Sequence, residues 1–353
     1  MRRIVLSAAL AAAALVASAL QPAPAAAQTD ILLNLQSTGS QDRFRVDSAS
    51  GVVARGNLGI GLIPWTGAGE RMMWHPFRAI FVAGGVNGTQ WDDGNLGFYG
   101  AAFGYNSTLK GNYSFVTGYQ SSVQQSYGVA MGYTANSNGV GSIAIGYRTT
   151  ADGDYSLALG HRASTNGYDG AMVMSDNSTT DSLEATANNQ FMVRAAGGYR
   201  FYTNATETVG VSLNAGGSTW NVISDRNRKQ DFLAVDGEDI LTRIRTLPVS
   251  TWRYISEEDR SVLHIGPMAQ DWQRAFGFSR DGTTINMGDF DGVNLAAVQA
   301  LDTRTRGQSR QLETQARQIQ GLQAENAELR AQNRALEERM RRLEALVAGS
   351  RAP

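Results

Sequence analysis

Glycine returns every 14 residues through the middle of the chain, at Gly104, Gly118, Gly132, Gly146 and Gly160. The segments around them align as FGYNSTLKGNYSFV, TGYQSSVQQSYGVA, MGYTANSNGVGSIA, IGYRTTADGDYSLA and LGHRASTNGYDGAM. A second glycine recurs about seven positions on, at Gly111, Gly139, Gly153 and Gly167. Between the glycines lie short alternating stretches such as SIAIG and SLALG, the pattern of a strand with one buried face. Glycine at fixed offsets supplies the turns that join such strands. One unit of this size is too small to bury its own apolar face. The period therefore predicts stacking into a parallel β-roll, with Ile143, Ile145, Leu157 and Leu159 forming internal ladders. A disordered Gly/Ser linker would not hold one period over five copies.

The flanks of the repeat also read as β structure. Residues 28–90 contain the strand-like runs ILLNLQ and RAIFVAGG and the cluster RMMWHPFRAIFVAG. They predict a β cap over the open end of the roll, which would otherwise expose apolar surface and strand edges. Residues 176–223, with NQFMVRAAGGYRFYTNATETVGVSLN, predict a β-rich connector.

A heptad pattern takes over toward the C-terminus. Leu322, Leu329, Leu336 and Leu343 are spaced by seven, as are Ile319, Asn326, Asn333, Met340 and Val347. This a/d register predicts a parallel coiled coil over residues 301–348. Asparagine at two a positions fixes register at some cost in stability. Heptads beside arginine also occur in DNA-binding zippers, but no dense basic region precedes these. The chain's net charge of −1 gives no electrostatic case for nucleic acid or an anionic membrane surface.

The N-terminus reads as a targeting segment. MRR is a basic start, IVLSAALAAAALVASAL an apolar core too short for a comfortable membrane span, and PAPAAAQ a small-residue site cleaved after Ala27. Residues 1–27 are thus a predicted signal peptide; an uncleaved anchor is the alternative. No later run of some 18 apolar residues predicts a transmembrane segment. The mature chain is expected to be exported, extracellular or on the cell surface. The chain has no cysteine, which removes disulfides, thiol nucleophiles and thiolate metal sites. His75, His161 and His264 are its three histidines, without ligand-like spacing, and nothing calls for a metal or cofactor.

One polar stretch, SDRNRKQDF, carries candidate chemistry. Lys229 is one of two lysines, with Lys110, in a chain that otherwise uses arginine for positive charge. A serine hydroxyl is a poor nucleophile until a base takes its proton. Lysine can be that base when burial or neighbouring positive charge lowers its pKa, whereas arginine is never deprotonated under such conditions. Arg226 and Arg228 flank the site in sequence. Taken alone, a Ser and a Lys five residues apart also fit a polar loop capping a helix.

Two resemblances sharpen these readings. Residues 91–175, above all SIAIGYRTTADGDYSLALG, resemble the head repeats of trimeric autotransporter adhesins, the YadA-like head. That resemblance implies a left-handed parallel β-roll in a homotrimer displayed at a surface, often adhesive, with its ligand unspecified. Residues from about 220 to 347 resemble the C-terminal intramolecular chaperone of phage endosialidases and tailspikes. SDRNRKQDF, ILTRIRTLPVSTWRY, HIGPMAQDW and DGVNLAAVQAL carry the resemblance, in the family's order. The family's start commonly reads Ser-Asp-x-x-x-Lys, which falls on Ser224, Asp225 and Lys229; Arg228 stands where an apolar residue is frequent.

The second resemblance implies an α+β chaperone domain over residues 224–300 that drives trimerisation and then cleaves the Ile223–Ser224 bond. Ser224 is the implied nucleophile, Lys229 the implied base, and Gln270 a candidate lining residue, unless its segment only packs. The expected whole is a mainly β, trimeric N-terminal part, followed by the chaperone domain and the coiled coil. The alternatives are a non-cleaving trimer with a permanent C-terminal clamp, and an enzyme acting on an external glycan.

Overall fold

The computed structural model describes residues 31–36, 42–47, 51–279 and 281–349. The predicted signal peptide, residues 1–27, lies outside the described residues. The chain divides into two compact units, residues 1–224 and 225–353.

The first unit is built on a roll of two sheets. One sheet has nine strands and the other six, and successive coils alternate between them. The long strands of the repeat are Ala101–Tyr105, Phe115–Tyr119, Val129–Tyr133, Ile143–Tyr147 and Leu157–His161. They pair in parallel, each residue opposite the one a full repeat away, as Val129 opposite Ile143 and Gly132 opposite Gly146. The short strands of the second sheet, such as Ser122–Val123 and Asn136–Ser137, pair in the same register. Glycine is required where coils approach closely. Gly132 has φ +132, and a Cβ there would lie 2.0 Å from the carbonyl oxygen of Gly146.

The roll continues beyond the strict repeat. Ile80–Val86 pairs in parallel with Ala101–Tyr105, with Gly84 opposite Gly104. At the other end Met172–Ser175 pairs with Leu157–His161, and Phe191–Arg194 pairs with Met172–Ser175. Inserted residues between these coils break the period but not the stacking. Gly69–His75 pairs antiparallel with Ile80–Val86 and forms one edge of the large sheet. Ile31–Gln36, Asp42–Asp47 and Val52–Ala54 form a separate antiparallel sheet.

The interior of the roll differs from the expectation. Ala102, Val116, Ala130, Ala144, Ala158 and Val173 are the inward column of the large sheet, all with 0 % exposure. Ile143, Ile145, Leu157 and Leu159 alternate with them on the outer face, and Ile145 is 36 % exposed. The alternation is the expected one, but its phase is inverted. The inward positions of the repeat are filled mainly by small side chains, alanine, valine and serine, with Leu109 the largest, so the bulky residues of these long strands face outward.

Polar contacts close the N-terminal end. His75 is fully buried and its Nε2 lies 3.1 Å from Asp93 Oδ1, while Arg78 Nε donates to the same oxygen at 2.8 Å. Arg78 and then His75 hold the Asp93 carboxyl below its ordinary pKa. Trp91, also fully buried, donates its indole N–H to the Ser107 carbonyl at 3.0 Å. On the surface, Tyr105, Tyr119, Tyr133, Tyr147 and His161 stack in a ladder, with centroids 5.0 Å apart at its middle steps. His75 and His161 are thereby structural.

Among its described residues the second unit holds three α-helices, α1 (Gly237–Thr246), α2 (Ala269–Phe276) and α3 (Met287–Gly349), and a small antiparallel sheet, Ser250–Trp252 with His264–Gly266. Asp236 caps α1, accepting from the Glu238 N–H at 2.9 Å. Gly277, at φ 75, ends α2 in the left-handed conformation. Ile240 and Leu241 of α1, Trp272 and Phe276 of α2, and Val293, Ala297 and Ala300 of α3 form one core. Arg304 of α3 pairs with Glu238 of α1, Nε to Oε1 at 3.0 Å. From Leu301 to Val347 α3 is exposed on all sides, its heptad leucines included.

Candidate functional site

The approach to Ser224 is set by the connector sheet. Gly198–Tyr202, Gly210–Asn214 and Asn221–Val222 form three antiparallel strands, with Phe201 opposite Val211 and Val211 opposite Val222. Beyond the last strand, the Ile223 N–H still donates to the Gly210 carbonyl at 3.3 Å. Glycine is needed at position 210 by the opposite neighbour, because a Cβ there would lie 2.1 Å from the Phe201 carbonyl oxygen. Ile223 is thus anchored, and Ser224, exposed, closes the first unit.

The second unit begins with a short 3-10 turn, Arg226–Arg228. Asp225 caps it, its side chain accepting from the Asn227 N–H at 2.9 Å. The Lys229 N–H donates to the Arg226 carbonyl at 3.2 Å. Arg228 reaches back to Asp225, Nε to Oδ2 at 3.6 Å, with both side chains 44 % exposed. An ion pair so open to solvent contributes about 0–1 kcal/mol. The Arg226 guanidinium lies over the Phe232 ring, 4.7 Å from its centroid. Asp225 therefore works here as a turn residue that orders the start of the unit. Lys229 is exposed.

Gln270 is the second residue of α2 and is exposed. Its neighbour Trp272 carries the packing of the segment at 1 % exposure. A cavity of about 280 Å3 lies against that tryptophan, lined by Ile244, Leu247, Val249, Pro267 and Phe290 among others. Its lining has no acid, base or nucleophile. Among the described residues no group of three or more His, Asp or Glu is placed to hold a metal ion. No helix among them is long and apolar enough to cross a membrane.

Sequence reasoning missed two surfaces. One is the outer face of the large sheet, whose columns run Phe115, Val129, Ile143, Leu157 and, beside it, Met131, Ile145, Leu159. The other is the connector's aromatic face, where Phe201 and Trp220 lie 5.7 Å apart. The alternation of apolar residues signals both; which phase faces water is not readable from it.

Comparison with known families places names on two segments. Residues 224–278 match the family described as chaperone of endosialidase, a peptidase family. Residues 126–149, 137–163 and 151–169 match the family described as YadA head domain repeat (2 copies). Along the chain, segments similar to YadA head repeats thus precede one similar to the endosialidase chaperone, the order that the sequence motifs predict. No curated protein and no solved structure matches the chain.

Proposed function

We propose that this protein is an exported homotrimeric surface fibre, adhesin-like, whose C-terminal segment guides assembly and then cuts itself off at Ile223–Ser224. One coincidence carries the reading. The segment similar to the endosialidase chaperone begins at Ser224, and the chain's two compact units divide immediately after that residue, one bond beyond the proposed cut. Cleavage there would separate a β fibre from a helical assembly domain without cutting through either.

Trimerisation is supported by what a single chain leaves uncovered. The outer face of the roll and the heptad seam of α3 both present apolar residues to water, among them Ile145, Leu329 and Leu336. Three copies meeting on these surfaces would bury them. The same meeting would supply the burial that Lys229 needs, making cleavage conditional on assembly.

In the proposed step a neutral Lys229 amine takes the proton of Ser224 Oγ as the oxygen adds to the Ile223 carbonyl carbon. The C–N bond breaks and the proton passes to the Ser224 amine, leaving Ile223 as an ester on Oγ. Water hydrolyses the ester, giving a new carboxylate at Ile223 and a new N-terminus at Ser224. Losing the folding guide leaves the fibre kinetically trapped.

The test is expression of the full chain, followed by mass and N-terminal sequencing of the product. Two fragments with a new N-terminus at Ser224 support the reading. An intact chain in a fully formed trimer overturns the cleavage and favours a permanent clamp.

A further inference from the structure

The connector sheet has two unlike faces. Strand alternation and register put Tyr199, Phe201, Val211, Leu213 and Val222 on one face. Trp220 joins them, its ring 6.4 Å from Tyr199 and 5.7 Å from Phe201. The opposite face carries Arg200, Tyr202, Ser212 and Asn221. On the apolar face Phe201 is 55 %, Trp220 53 % and Val222 66 % exposed. A contiguous exposed apolar face of this kind marks an interaction surface.

Two observations identify the cover as other copies of this chain. First, α3 carries an exposed heptad seam, and parallel helices joined in register bring equal residues of each copy to one height. In sequence the connector lies between the roll and α3, so it is linked on both sides to elements that present apolar surface for other copies to cover. Second, the face carries no charge. A closed symmetric assembly sets each patch against its own copies, and an uncharged apolar patch can meet itself without repulsion.

We propose that this aromatic face is the lock between copies in the mature fibre, holding them together after residues 224–353 have left. The proposal rests on the cleaved homotrimer described above. Its position gives it that role: the sheet ends immediately before the cleaved bond, so it is the last surface of the product and the one nearest the lost coil in sequence.

The test uses the full chain with a site-specific protease sequence inserted between Ile223 and Ser224 and with Lys229→Ala, so that release is imposed from outside. Oligomeric mass is measured by sedimentation before and after release, with and without Phe201→Ser and Trp220→Ser. Before release both versions stay assembled, because the coil remains. After release the unaltered face keeps its copies together, and in the double variant, which retains only the outer face of the roll, self-association is weakened at least about a hundredfold. Arg200→Ala, on the opposite face, leaves the released assembly unchanged. A released double variant as firmly associated as the unaltered chain overturns the lock, as does a released unaltered chain that is monomeric. Should the double variant not fold, Val222→Thr carries the same expectation at about a tenfold loss. If the natural chain fails to cleave itself, the self-cleavage reading falls while the imposed release still decides the lock.

Discussion

The backbone N–H of Ile223 donates to the carbonyl oxygen of Gly210 at 3.3 Å, making Ile223 the last residue held by the connector sheet. Ser224 follows it and the second unit starts one residue later. A carbonyl fixed from its N-terminal side, with a serine immediately after it, is a suitable target for attack by that serine, since orientation is supplied before the reaction begins.

Ser224→Ala and Lys229→Ala are therefore expected to leave the full chain intact, with the assembled mass unchanged. The discriminating variant is Lys229→Arg. It keeps the positive charge but cannot give up a proton, so it is expected to be as inactive as Lys229→Ala, a loss of at least about a hundredfold in fragment appearance. Cleavage at the natural rate in Lys229→Arg would remove lysine from the role of base. Gel densitometry over time is sufficient to read it.

Gly132 tests the roll itself. Its φ of +132, and the 2.0 Å that would separate a Cβ from the Gly146 oxygen, leave no space for a methyl group. Gly132→Ala is expected to cost about 3 kcal/mol or more, through backbone strain and a forced separation of adjacent coils. Thermal melting followed by circular dichroism checks it, with Gly167→Ala as comparison, where no atom lies within 4 Å and only the φ of +79 is strained.

Ala144 and Ile145 separate the interior from the assembly surface, although they are neighbours in one strand. Ala144 is fully buried and Ile145 is 36 % exposed. Ala144→Leu is expected to destabilise the roll by about 1–3 kcal/mol through overpacking. Ile145→Asp is expected to leave each chain's β content intact while weakening association of the head. Sedimentation and circular dichroism together distinguish the outcomes; loss of β structure in Ile145→Asp would return this residue to the interior.

This inverted phase marks the limit of what the sequence discloses. The 14-residue glycine period discloses the parallel roll, because only stacked coils explain close glycine contacts at one fixed offset. It does not disclose that Ile80–Val86 and Phe191–Arg194 are further rungs, because the segments between them and their neighbours are longer than one repeat. Nor does alternation say which side is inside when alanine and isoleucine alternate; interior width decides that, and it is a property of the closed coil. At the candidate site, Ser224 and Lys229 can be singled out because lysine is rare here and the motif is short and local. The anchoring of Ile223 by Gly210 depends on a strand pairing invisible in the motif. Gln270, chosen from its segment, stands exposed while Trp272, two residues on, packs.

Asp176 provides a pH test at the end of the roll. Its carboxylate accepts from the Ala196 N–H, from the hydroxyl and N–H of Ser178, and from Arg194, which together bring its pKa down to about 2. The folded value lies below the ordinary 3.8, so the stabilisation is present above pH 3.8 and disappears as pH falls through about 2. Hydrogen-exchange protection of the Ala196 amide, corrected for intrinsic rate, is expected to drop across that window. Asp176→Asn is expected to lower protection at pH 5 and to flatten the pH dependence. An unchanged profile in the variant would assign the acid response to another group.

The heptad seam links assembly to cleavage. Leu329 and Leu336 are 50 % and 59 % exposed on a single chain and sit one heptad apart. Burying such a pair in each copy contributes about 1.5–3 kcal/mol per side chain, so Leu329→Asp with Leu336→Asp is expected to abolish pairing of α3. Both positions are about 100 residues from Ser224 in sequence, and neither can take part in the chemistry as nucleophile or base at that bond. If Lys229 is buried only by neighbouring copies, the double variant will remain uncleaved although Ser224 and Lys229 are intact. Replacing residues 301–348 with an unrelated trimeric coiled coil in the same register is expected to restore cleavage. Cleavage in the dissociated double variant, measured at a protein concentration where sedimentation shows monomer, would show that one chain is competent alone and would break the coupling of release to assembly.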